Sequence, residues 1–140
     1  SMTARTKTLV GTAFAGLLAI TPALADGIAF VQAPEQGSGV AIGATMEEAF
    51  GKAVAQCMES GALKEDCIRT NWCEPAGFSV DVFLQHSEGP HWHEVVCGLP
   101  DEQIARNVGE ALCDRDARPY LIECAVVQVY DPDGGTLMEW

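Results

Sequence analysis

A small unit is written twice in this chain, and cysteines mark both copies. Cys57 and Cys67 are followed by Glu74-Pro75-Ala76-Gly77, then by Ser79 and Phe83. Cys113 and Cys124 are followed by Asp131-Pro132-Asp133-Gly134, then by Thr136 and Trp140. Counted from the second cysteine of each pair, the acidic-Pro-x-Gly segment, the hydroxyl residue and the aromatic fall at the same offsets. The chain is thereby expected to fold as two similar halves, each with its own local cross-link.

The beginning of the chain reads as an export leader. Arg5 and Lys7 form a basic start, residues 9–20 are apolar but too few for a membrane span, and Ala23-Leu24-Ala25 is an A-x-A cleavage signal. Residues 1–25 are therefore expected to be a signal peptide, with no membrane span left after its removal. The sequence has 8 Lys+Arg against 20 Asp+Glu, a formal net charge of −12. Arg5 and Lys7 are both in the leader and no acid is, so the exported part is more acidic still. Such a surface repels nucleic acid and anionic lipid and suits solubility, cations or cationic partners. All 6 cysteines lie beyond the leader. An even count in an exported chain implies disulfides and a periplasmic or secreted location. Structural zinc needs closer pairs than the nearest approach here, Cys67 to Cys73.

Along the chain, residues 26–38 are punctuated by Gly and Pro and read as an N-terminal lead-in. Residues 39–140 read as a single disulfide-bonded domain, with unit one at 39–90 and unit two at 91–140. A short strand at 39–42 precedes a helix opened by Thr45 and Glu48 as a capping box. Met46, Ala49, Phe50, Ala53, Val54 and Cys57 form its apolar stripe, mostly of small residues that permit close approach to a sheet. Residues 67–73 and 78–84 read as a hairpin turning at Glu74-Pro75-Ala76-Gly77. Val80, Val82 and Leu84 take one face of its second strand and Asp81 the other. A strand at 92–97 starts the second copy. A helix follows, with Pro100 in its first turn and Ile104, Val108, Ala111 and Leu112 as its buried stripe. The apolar run 121–130 reads as a central strand, and Asp131-Pro132-Asp133-Gly134-Gly135 turns it into a last strand at 136–140. The expected fold is α+β: two tandem β-α-β-β units, an antiparallel sheet packed by two helices and cross-linked by disulfides.

The repeat also constrains the cysteine pairing. Cys57/Cys67 and Cys113/Cys124 each span a helix end and the next strand, so equivalent units close equivalent bridges. Cys73 and Cys97 remain. By offset Cys73 matches Tyr130, and Cys97 falls near Ile42. A Cys73–Cys97 bridge would clip a strand of unit one to the first strand of unit two.

The run Gly43-Ala44-Thr45, Ala49, Ala53 and Cys57, followed by Cys67 and a strand, resembles a family of small secreted bacterial domains of unknown function, the 4189 family. The resemblance covers about residues 39–140. It implies a duplicated α-β-β module with interlocking copies and recurrent helix-to-strand disulfides. It implies no enzymatic activity.

Chemistry-bearing residues concentrate at the junction of the copies. His86, His91 and His93 are all 3 histidines of the chain. His91 and His93 flank Trp92, and the period of a strand aims both imidazoles at one face. Two readings stand. His86, His91 and His93 form a Zn²⁺ or Cu²⁺ site, with Glu88 or Glu94 adding an oxygen ligand, or they are surface histidines of a polar loop. Trp72 and Trp92 either pack over the Cys73/Cys97 bridge or, exposed together, make an aromatic binding patch. Asp131 and Asp133 fit a hairpin turn, since the segment is too short for an EF-hand. Ser38, Ser60, Ser79 and Ser87 sit in no G-x-S-x-G, and oxidised cysteines leave no Cys/His pair. No catalytic residue is singled out and no cofactor is implied beyond a metal at the histidines. The sequence is expected to encode an exported acidic binding module with a protein partner, such as an inhibitor or accessory subunit of a periplasmic or envelope complex. The alternative is a periplasmic metal-binding protein using His86, His91 and His93.

Overall fold

Burial along the first strand sets the layering. The structure, a computed structural model, describes residues 26–139 together with Gly11. The expected signal peptide, Gly11 apart, and Trp140 lie outside the described residues. In β1 (Gly27–Ala33) every residue but Gln32 is buried. Ile28 and Phe30 point to one side, and Ala29, Val31 and Ala33 to the other. A strand covered on both faces lacks the apolar-polar alternation by which strands are recognised. This is why residues 26–38 read as a lead-in, whereas they supply the central strand of a sheet.

β1 pairs antiparallel with β2 (Gly37–Gly43) and with β3 (Ile68–Cys73), giving the order β2-β1-β3. A second sheet has the order β5-β4-β6, from β4 (Phe78–His86), β5 (His91–Leu99) and β6 (Leu121–Tyr130), again antiparallel. Helix α1 (Met46–Glu59) links β2 to β3, and α2 (Glu102–Leu112) links β5 to β6. The fold is α+β, with two tandem units of identical strand order. Their frame is β-β-α-β, so the boundaries fall at about 27–73 and 78–130, not at 39–90 and 91–140.

The frame moves because Glu74-Pro75-Ala76-Gly77 is not a hairpin turn. β3 and β4 belong to different sheets. The segment crosses between them, with the Ala76 N–H donating to Asp26 O at 3.0 Å and Gly98 N–H donating to Ala76 O at 2.9 Å. In the second copy, Asp131 Oδ1 accepts from the N–H groups of Asp133 and Gly135 at 2.8 and 2.9 Å. Past that turn, Thr136 pairs with Tyr130 in an isolated bridge and not in a full strand. The shared motif therefore marks the end of each unit. β6, read as central, is an edge strand; β4 is central, with Val80, Val82 and Leu84 fully buried.

Each helix covers one sheet. Thr45 caps α1 by accepting from Glu48 N–H at 3.2 Å, and Ala49, Phe50, Ala53 and Cys57 are its buried face. The small stripe permits close contact, as its sequence suggested: a Cβ on Gly39 of β2 would fall on the Ala53 carbonyl oxygen. Asp101 caps α2 by accepting from Ile104 N–H at 2.8 Å. This helix buries Ala105 and Gly109, with Val108 and Leu112 packed beside them. Ile104 is 38% exposed, so the buried face is rotated from the expected stripe. The rotation brings Gly109 onto the sheet, where a Cβ would lie 2.5 Å from Val126 and 2.9 Å from Val80.

The two sheets face each other through a third apolar layer. Ile28, Phe30 and Ala76 are buried in it, packed by Val40, Ile42, Cys73, Val95, Cys97 and Tyr130. Phe30 and Tyr130 meet edge to face with centroids 5.5 Å apart. The order through the molecule is α1, sheet one, sheet two, α2. Cys57–Cys67 and Cys113–Cys124 close within units, with Cα separations of 6.2 and 5.4 Å. Cys73–Cys97, at 5.9 Å, ties β3 to β5 across the layer. Among the described residues no helix is long and apolar enough to cross a membrane.

Replacing Cys73 and Cys97 together by Ala is expected to lower unfolding stability by about 2–4 kcal/mol, measured by calorimetry. Gly39→Ala is expected to lose about 1–3 kcal/mol by overpacking against α1. Gly51→Ala, in the same helix but with open space around it, is expected to gain about 0.4–1 kcal/mol. Urea denaturation of the pair checks both signs.

Candidate functional site

The layer between the sheets is apolar at one end and polar at the other, and the repeat shows where it changes. Ile28 pairs with Cys73 in sheet one, and Ser79 pairs with Tyr130 in sheet two. Counting along the strands from Ile28 and Ser79, Phe30 corresponds to Asp81 and Gln32 to Phe83. Across the sheets, Phe30 and Asp81 pair with Val40 and Val95, and Gln32 and Phe83 pair with Ser38 and His93. Unit one therefore fills the sandwich with a phenyl ring where unit two places a carboxylate.

Placing a carboxylate at the edge of an apolar layer requires a partner. The Asp81 side chain is only 20% exposed, and His93 Nδ1 donates to its Oδ1 at 2.7 Å. This hydrogen bond to the carboxylate, opposed by partial burial and aided by the negative charge of Asp81, holds the His93 imidazolium pKa above the usual 6.5. Tyr130, half-buried in the same layer, has its phenol pushed up to about 12 by desolvation first and the charge of Asp81 second. The Phe83 ring contacts both neighbouring imidazoles, with centroids 5.7 Å from His91 and 5.6 Å from His93. His91 Nε2 lies 3.3 Å from Glu35 Oε1 on the β1–β2 turn, a contact that crosses from unit two to unit one. A cleft of about 270 Å³ opens here, lined by Gln32, Glu35, Gln36 and Ser38 on one side and Asp81 and His93 on the other.

The three histidines do not converge. His91 and His93 share a face, as the strand period predicted. His86 stands apart, its ring stacked on Tyr120 at 4.9 Å and its Nδ1 accepting from Glu88 N–H at 3.0 Å. His86, on β4, pairs with Leu121 of β6 and follows the face of Val82 and Leu84, opposite to Asp81 and Phe83. Glu94, offered as an oxygen ligand, accepts from Arg118 at 3.1 and 3.2 Å. Among the described residues no group of three or more His, Cys, Asp or Glu side chains is placed to hold a metal ion.

The tryptophans also part. Trp72 packs on the α1 side of sheet one, 6.3 Å from the Phe50 ring. Trp92 packs on the α2 side of sheet two, and its Nε1–H donates to Glu94 at 3.1 Å. They form neither a shared patch nor a cover for Cys73–Cys97, because each is one residue out of phase with that bridge's face.

Asp81 and Glu35 were not picked out as site residues from sequence. The signal for Asp81 was an acid alternating with Val80, Val82 and Leu84, and its meaning depended on a second sheet facing it. Glu35 carried none, since its turn lay in the supposed lead-in. Comparison with protein-family models, with curated proteins and with solved structures finds no match for the chain.

Because the bonded His93 has a raised pKa, the Asp81–His93 contact stabilises the fold below about pH 6.5 and fades as pH rises through the raised value. NMR titration of the His93 ring is expected to give a midpoint above 6.5. Asp81→Asn is expected to bring it down, and an unchanged midpoint would remove Asp81 as the cause.

Proposed function

We propose that the protein is an exported binding module that acts by presenting a preformed polar cleft to a protein partner, as an inhibitor or accessory subunit of a periplasmic or envelope complex does. The observation that carries this reading is the Asp81–His93 pair set into the inter-sheet layer at the position where the duplicate unit keeps Phe30. A carboxylate–imidazole pair in a sandwich gives up apolar packing that unit one retains, and departures of this kind collect at functional positions.

The scaffold around the cleft supports recognition. Three disulfides, one of them across the two sheets, brace the scaffold that carries both walls of the cleft. A wall ordered before binding reduces the entropy lost on association. Disulfides persist in oxidising compartments, which agrees with a leader that directs export. The acid excess of the chain speeds encounter with basic partners and repels nucleic acid and anionic lipid. Nothing in the geometry favours the metal-binding alternative, since His86 lies on the other face of β4 from His91 and His93.

The test is capture. The full chain, produced with its leader and carrying an affinity tag, is expected to be recovered with all six cysteines oxidised and to retain a protein from envelope extract that elevated salt releases. Free thiols in the exported protein, or no retained protein above the control, would defeat the reading.

A further inference from the structure

The cleft carries carboxylates without a permanent counter-ion. Asp81 and Glu35 contribute two negative charges, and the resident groups able to balance them are His93 and His91, which carry charge only when protonated. The lysines and arginines of residues 26–139 sit elsewhere. Lys52, Arg69, Arg106 and Arg118 pair with Glu48, Glu47, Glu102 and Glu94. Lys64 borders the groove beside α1, and Arg115 donates to Ile122 O. Tyr130, the remaining titratable group of this layer, has its phenol pushed up to about 12.

The acceptors in the cleft are only partly used. His93 engages Asp81 through Oδ1, and Oδ2 receives no hydrogen bond from the described residues. With Nδ1–H committed to Asp81, neutral His93 has Nε2 left as an acceptor lone pair. Gln32, Gln36 and Ser38 add amide and hydroxyl oxygens on the facing wall.

We infer that this cleft receives an arginine side chain of the protein partner, in competition with a proton on His93. The inference rests on the binding-module reading and names the group that the module recognises. A guanidinium presents a planar fork of N–H donors, which suits several convergent acceptors better than the compact ammonium of lysine. Protonation of His93 turns its Nε2 from acceptor to donor and places a positive charge beside Asp81. Both changes oppose an incoming cation. Affinity for arginine therefore rises with pH through the titration of His93 and falls in acid.

The probe is the blocked peptide acetyl-Gly-Arg-Gly-amide, with its citrulline counterpart as the neutral isostere, and the readout is the backbone amide signals of the lining positions 32, 38 and 81 by NMR of the oxidised protein. The arginine peptide is expected to shift these signals at about pH 8, and to bind about tenfold more weakly at about pH 5. Citrulline is expected to give no comparable shift. Asp81→Asn is expected to weaken arginine binding about tenfold or more. His93→Gln is expected to keep binding while flattening its pH dependence. Equal binding of citrulline, tighter binding in acid, or no effect of Asp81→Asn overturns the inference. The citrulline and His93→Gln arms decide it if Asp81→Asn fails to fold. Should the captured partner bind Asp81→Asn as well as wild type, the arginine inference fails and the binding module stands. Should the peptide bind as expected while no partner is captured, the module reading fails and the cleft stands.

Discussion

The apolar contact between the inner faces of the two sheets organises this molecule. Ile28 and Phe30 from β1 meet Val95, Cys97 and Tyr130 from the second unit, and the Cys73–Cys97 bridge fastens that contact at its buried end. Each sheet already has a helix over its outer face. Without the partner sheet, Ile28, Phe30 and Tyr130 would face water. The two units are therefore not independent beads, and a ββαβ unit becomes stable by burying its second face against its copy. The cross-link restricts the unfolded chain and also keeps the open end of the layer at a fixed width.

That open end is where the copies diverge. Duplication places equivalent positions opposite each other, so a change in one copy alters a shared surface rather than a private one. Asp81 in place of the phenyl ring of Phe30 and His93 in place of Ser38 turn part of an apolar sandwich into a polar cleft. Unit one answers with the polar turn of Gln32, Glu35 and Gln36. The site is built by neither copy alone, because its walls come from different units and its width comes from the layer between them.

Much of the fold was legible in the chain. Thr45 and Glu48 marked the start of α1, and the run of small residues after them announced a helix lying close on a sheet, as Gly39 against Ala53 shows. Equivalence of the copies paired Cys57 with Cys67 and Cys113 with Cys124, and Cys73 and Cys97 were left for each other, as the bridges show. The frame of the repeat was not legible, for two physical reasons. A strand buried on both faces, such as β1, has no alternation to reveal it. An acidic-Pro-x-Gly turn looks the same whether it closes a hairpin or carries the chain to another sheet. Of the candidate site, His91 and His93 were correctly placed on one face, whereas His86, Trp72 and Trp92 were grouped by nearness in sequence. Strand pleating sends such neighbours to opposite faces.

The sequence by itself determined the duplicated α+β character, the helix caps and the disulfide pairing, because these follow from local spacing and from the equivalence of two copies. The tertiary structure decided which strands share a sheet, which face of each strand is inward, and that Asp81, His93 and Glu35 gather at one cleft. Those outcomes depend on which sheet packs against which, a contact between residues tens of positions apart that no local pattern encodes.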